Sequence, residues 1–102
     1  MAFALGQRVS GHLAQTNAEV QYQLTVQNKL LLRLEGPEGQ DFALYVRYGA
    51  PAGTADGQYD AVSYGVTADE LVTIANPQAG AYDILVHSYR GAGSYTLEVD
   101  VA

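Results

Sequence analysis

The sequence predicts an all-β fold, an antiparallel sandwich or jelly roll of about eight strands. Apolar residues recur with period two along almost the whole chain, as strands with one buried face require. Turn signals rich in Gly, Pro and Asn fall at roughly ten-residue spacing. No stretch carries a helical period long enough to supply the crossovers that a parallel sheet needs.

A first short strand spans Val9 to Leu13. Tyr22, Leu24 and Val26 then alternate with Gln21, Gln23 and Thr25, and Gln27-Asn28 breaks the run. Leu30, Leu32 and Leu34 alternate with Leu31, Arg33 and Glu35 in a third strand, closed by the turn Gly36-Pro37-Glu38-Gly39. In the fourth, Phe42, Leu44 and Val46 alternate with Ala43, Tyr45 and Arg47. Gly49 to Gly57, small residues with a proline and an Asp-Gly pair, reads as a long loop. Shorter strands are expected at Tyr59–Tyr64 and Leu71–Ala75, around Gly65-Val66-Thr67-Ala68-Asp69, and Asn76 to Gly80 is the next break. Tyr82, Ile84 and Val86 oppose Asp83, Leu85 and His87 in a seventh strand. After Arg90-Gly91-Ala92-Gly93, Tyr95, Leu97, Val99 and Val101 oppose Thr96, Glu98 and Asp100. Gly36, Gly39, Gly80, Gly91 and Gly93 sit at strand ends, where positive φ or close approach is required.

The 102 residues suit one domain, 1–102, and a hydrophobic content of 48% with 16% charged residues suits a packed core rather than disorder. The formal charge is −6, and Arg8, Lys29, Arg33, Arg47 and Arg90 are scattered. Nucleic acid and anionic membrane both demand clustered positive charge, so neither is an expected partner. Cysteine is absent, which removes disulfides, thiolate ligands and a cysteine nucleophile. No apolar run approaches the ~20 residues of a membrane span, and no signal-peptide pattern opens the chain. If the parent protein is secreted, its signal lies upstream or has been removed, and Met1 reads as an expression start.

Five segments stand out in order along the chain: Ser10-Gly11-His12-Leu13, Tyr22 to Val26, Asp41 to Gly49, Gly80 to Gly91, and Ser94 to Val99. Together they resemble the bacterial pre-peptidase C-terminal domain family, which includes the collagen-binding domains of clostridial collagenases. The resemblance implies a jelly-roll-like β-sandwich found beside the catalytic domains of secreted peptidases and in other extracellular proteins. The expected partner is therefore a covalently attached catalytic domain.

Eight tyrosines and no tryptophan are present. Tyr22, Tyr82 and Tyr95 share parity with core aliphatics and are expected inside. Tyr45 and Tyr89 fall on the outward parity, with Tyr64 joining them, although β-propensity alone favours tyrosine on strands. The resemblance implies that tyrosines on one sheet face grip a collagen triple helix. It places Tyr45, Tyr64, His87 and Tyr89 on that ligand face, with His87 replacing a tyrosine. Flat amphipathic rings suit a rod-like polymer, because each buries apolar area at low entropic cost and offers a hydroxyl.

No resident cofactor is expected, and calcium is a minority expectation. The resemblance implies acids before the first strand and at the start of the second, but here stand Met1 to Leu5 and Val20, beside Glu19. Asp56, Asp60 and Asp41 form the alternative oxygen cluster near the long loop. Catalysis is not expected. His12 reads as an edge histidine, and His87 and Ser88, adjacent on a strand, face opposite ways. Two histidines at unrelated positions make no zinc site, and no Gly-rich phosphate loop opens a helix. The leading expectation is a secreted, non-catalytic module that targets an attached enzyme to collagen-like or other insoluble protein. The alternatives are a folding, secretion or stability domain without a tight ligand, and a carbohydrate-binding module.

Overall fold

Eight strands form two sheets, and every connection except that between the fourth and fifth strands carries the chain across the core. A computed structural model describes residues 7–65, 67–74 and 77–101. The strands are β1 (Gln7–Leu13), β2 (Glu19–Val26), β3 (Leu30–Glu35), β4 (Asp41–Tyr48), β5 (Ala61–Ser63), β6 (Glu70–Ile74), β7 (Gly80–Arg90) and β8 (Gly93–Val101). One sheet has the order β1-β8-β3-β6 and the other β2-β7-β4-β5, with every pair antiparallel. This is the two-sheet jelly-roll arrangement. Met1, Val66, Ala75 and Asn76, which the sequence reading placed at the start, in the β5–β6 turn and at the end of β6, lie outside the described residues.

The period-two pattern works as expected where one face meets water. On β2, Tyr22, Leu24 and Val26 are buried while Gln21, Gln23 and Thr25 are exposed. They meet Leu30, Leu32 and Leu34 of β3, Phe42, Leu44 and Val46 of β4, and Ile84 and Val86 of β7 in a single cluster between the sheets. Tyr22, Tyr82 and Tyr95 are buried in it, as their parity requires. The Tyr22 and Tyr95 hydroxyls meet at 2.5 Å across the core, a hydrogen bond between two buried phenols. Gly11 is required by close approach: a Cβ there would run into the Tyr95 ring.

The two outer faces differ. That of the first sheet is charged and solvated, with Arg8 bonded to Glu98 at 2.8 Å and Lys29 to Asp100 at 2.7 Å. The Arg8 hydrogen bond holds the Glu98 carboxyl below the usual carboxylate range. The outer face of the second sheet is partly roofed. Every residue from Asp41 to Val46 on β4 is buried, so both faces of this strand are covered. The cover is the 49–60 segment, and Ala52 packs with Ala43, Tyr45 and Leu85, flanked by Tyr59 and Val62, in a second small core.

This roof corrects two expectations. The fifth strand is only Ala61–Ser63, because Tyr59 turns onto Tyr45 and Asp60 turns back to β4. The Asp60 amide donates to the Val46 carbonyl at 2.7 Å and its carboxylate accepts from the Tyr48 amide at 2.7 Å. Tyr45 has the outward parity expected of it but is only 8% exposed, since the loop closes over its ring.

Candidate functional site

The uncovered part of that second face is a cleft. Its register follows from the ladders: Ala43 of β4 sits opposite His87 of β7, which sits opposite Glu19 of β2. Between Phe42 and Asp41 the pairing slips, so that Phe42 opposes Ser88 while Asp41 opposes Arg90, leaving Tyr89 as the extra residue of a β-bulge. A bulge bends its strand and redirects a side chain, and Tyr89 here is 69% exposed. The neighbouring Ser88 is fully buried on the opposite face, where its hydroxyl donates to the Gly91 carbonyl at 2.6 Å. Its backbone bonds to Ala18 and Asn17 fix the strand beside the bulge.

Tyr64, immediately after β5, is 66% exposed. The turn behind it is held by the buried Glu70 carboxylate, which accepts from the Gly65 amide at 2.8 Å and from the Ser63 hydroxyl at 3.1 Å. With the small Ala43 as floor, Tyr45, Tyr64, Gly65, Tyr89 and Asp41 enclose about 440 Å³. Tyr45 is the inner wall, and burial pushes its phenol above the ordinary tyrosine range.

Of the four residues assigned to the ligand face, Tyr45, Tyr64 and Tyr89 line one cleft. His87 stands beside it, its ring edge-on to Tyr45 at 6.3 Å, and its Nδ1 lies 2.8 Å from a Glu19 oxygen. That contact is an ion pair when the imidazole is protonated, and otherwise a hydrogen bond that the Nδ1–H tautomer donates to the carboxylate. Asp41, Ala43 and Gly65 belong to the cleft as well and were not assigned to it from the sequence. Ala43, the smallest outward residue on β4, was the available signal for a gap in the face.

The roof sets the other boundary of the cleft. Buried Asp83 accepts from the Ala52 amide at 2.7 Å and from Gln21 at 3.4 Å, while Gln21 also donates to the Ala52 carbonyl at 3.1 Å. Asp83→Ala removes the acceptor of a buried amide and is expected to cost about 1–3 kcal/mol. Cleavage within 49–60 under limited proteolysis should accelerate with it. Unchanged melting and cleavage would mean that the carboxylate does not hold the roof.

The remaining chemistry is sparse. Asp41, Asp56 and Asp60 are not drawn together, because Asp60 is engaged at the loop end of β4 while Asp41 begins the strand. No cluster of three or more acidic or histidine residues fit for a metal occurs among the described residues. Glu19, named beside the implied second-strand position, is engaged by His87, and Met1 to Leu5 lie outside the described residues. His12 is exposed on the edge strand β1 and meets Ser94 at 3.2 Å.

A family profile for the bacterial pre-peptidase C-terminal domain matches residues 17–88. Among solved structures, the fold is similar to the pre-peptidase C-terminal domain of a collagenase from Bacillus anthracis. The TM-score is 0.75 at 18% identity, over 97% of this chain and 92% of that one. It is also similar to PliG, a periplasmic inhibitor of g-type lysozyme from Aeromonas hydrophila (TM-score 0.61, 16% identity, 95% and 88% covered). A third is CorA, a surface-associated copper-binding protein of Methylomicrobium album BG8 (TM-score 0.65, 13% identity, 93% of each). At these identities the likeness is one of fold. No curated protein sequence matches the chain.

Proposed function

The chain belongs to the bacterial pre-peptidase C-terminal domain family, and we propose that it is a non-catalytic accessory domain of a secreted peptidase or other extracellular protein. Its role is to hold an attached catalytic domain on an insoluble protein substrate such as collagen. Tethering raises the local concentration of enzyme at the polymer without adding any chemistry.

The observation that carries this reading is the placement of Tyr64 and Tyr89. Among the described residues, the large hydrophobic side chains left exposed are these two and Leu71. Both tyrosines flank one cleft on one face, over the buried ring of Tyr45. Exposed rings gathered at a concavity mark a recognition surface. The named role of the similar Bacillus anthracis protein, a domain of a collagenase, supports collagen as the first substrate to try.

Co-sedimentation with insoluble collagen tests it, with chitin and cellulose as controls. The expected result is collagen-selective binding that the Tyr64→Ala/Tyr89→Ala double variant loses by tenfold or more, as the removal of two central aromatic anchors should cost about 1.4 kcal/mol or more. Both positions are exposed, so the variant should melt normally. Absence of binding to all three polymers would overturn targeting and leave a role in folding or stability of the neighbour. Preference for chitin or cellulose would instead indicate a carbohydrate-binding module.

A further inference from the structure

The cleft has one acidic wall. Asp41 is only 9% exposed and lines a concavity that is otherwise made by Ala43, Gly65 and three tyrosines. No described residue donates a hydrogen bond to its carboxylate or pairs with it. Arg90, its cross-strand neighbour in the ladder, is itself exposed and forms no ion pair with it. The other buried carboxylates are all occupied: Asp83 by the Ala52 amide and Gln21, and Glu70 by Gly65 and Ser63.

No side-chain oxygen among the described residues is both cut off from water and unpartnered, so the Asp41 carboxylate keeps its water through the cleft; stripped of that water without a partner, it would be costly. An occupant of the cleft displaces that water and so has to compensate the charge itself. An anion would be repelled, and a neutral apolar group would leave the acid unpaired. A cation on a short alkyl stem satisfies every wall: its charge meets Asp41, its polarised CH groups lie against the Tyr45, Tyr64 and Tyr89 rings, and its stem exits past the exposed tyrosines. The formal charge of −6 favours the approach of such a ligand.

We infer that this cleft binds an organic cation of the lysine or arginine side-chain type, presented by the protein substrate that the domain engages. The inference rests on the reading of this face as the substrate-binding one, and it adds what that reading lacks: the chemical group that is recognised. Asp41 supplies the charge selectivity and the tyrosines supply the contact area.

The test is an NMR amide-shift titration of the whole chain with n-butylammonium, n-propylguanidinium and the neutral 1-pentanol at constant ionic strength. Saturable shifts at Ala43 and Gly65 are expected with the two cations, at an affinity roughly tenfold above that for pentanol. Asp41→Asn should abolish this preference, while Glu19→Gln, on the same face but outside the cleft, should preserve it. Tyr89→Ala, at an exposed position, should weaken cation binding and keeps the test available if Asp41→Asn does not fold. Equal affinity for pentanol, or cation affinity unchanged in both Asp41→Asn and Tyr89→Ala, would overturn the inference. Collagen binding without cation preference would refute the cation pocket alone. Cation preference without polymer binding would refute targeting alone.

Discussion

Phe42→Ala is expected to destabilise the domain by about 3–5 kcal/mol, lowering the melting temperature by on the order of 20 °C. Phe42 is fully buried in the inter-sheet cluster, at the point where the β4–β7 register slips. Truncation loses the transfer free energy of the ring and leaves a cavity, and close-packed β4 and β7 have little freedom to collapse into it. A loss of that size is a large share of the stability of a domain this small. Asp41 precedes Phe42 directly, and Tyr89 bulges out beside it, so the cavity would also lie under the cleft lined by Asp41, Tyr45, Tyr64 and Tyr89. Phe42→Leu, which keeps most of the volume, should cost less than about 1.5 kcal/mol. Chemical denaturation of the two variants checks this. A loss of about 1 kcal/mol or less for Phe42→Ala would show that the core is not close-packed beneath the bulge.

The sheets were legible because their physics is local. Along β2 each residue alternates between water and core, and the sequence writes that alternation directly as Tyr22, Leu24, Val26 against Gln21, Gln23, Thr25. The outward positions of Tyr64 and Tyr89 followed from the same rule. What was illegible depends on contacts remote in sequence. Tyr45 has outward parity, yet it is buried because Ala52 and Tyr59 of the loop fold back over it. The bond that pins the loop, from the Ala52 amide to Asp83, spans 31 residues and leaves no periodic trace. Tyr59 looked like a strand residue because it precedes an apolar run, whereas Asp60 turns the chain there to bond β4. Asp41 drew notice only as one of three scattered acids. Its isolation in an aromatic cleft results from the bulge opposite it, and a bulge is a property of two paired strands rather than of either alone.

Stability is expected to fall steeply above about pH 10, faster than in an otherwise similar protein whose tyrosines are all exposed. Burial pushes the phenols of Tyr45, Tyr82 and Tyr95 upward, and for Tyr95 the shared hydrogen bond with Tyr22 adds to the effect. A phenol is neutral when protonated, so a raised folded-state pKa means that the native state keeps its proton after the unfolded chain has lost it. Between the unfolded pKa and the higher folded one, the unfolded state binds fewer protons, and stability declines with rising pH. Each retained proton steepens the decline by about 1.4 kcal/mol per pH unit, and below the unfolded pKa the term vanishes. Urea denaturation at steps from pH 8 to 11.5 should therefore be level at first and then drop. Phenolate absorbance in the native protein should lag that of the urea-unfolded chain over the same range. Tyr95→Phe removes the phenol raised furthest and should flatten the alkaline slope by about one proton's worth, whatever it costs near neutrality. Coincident native and unfolded titration curves would contradict the burial of these three hydroxyls, and with it the inward packing of Tyr82 and Tyr95 and the roofing of Tyr45 on which the shape of the cleft depends.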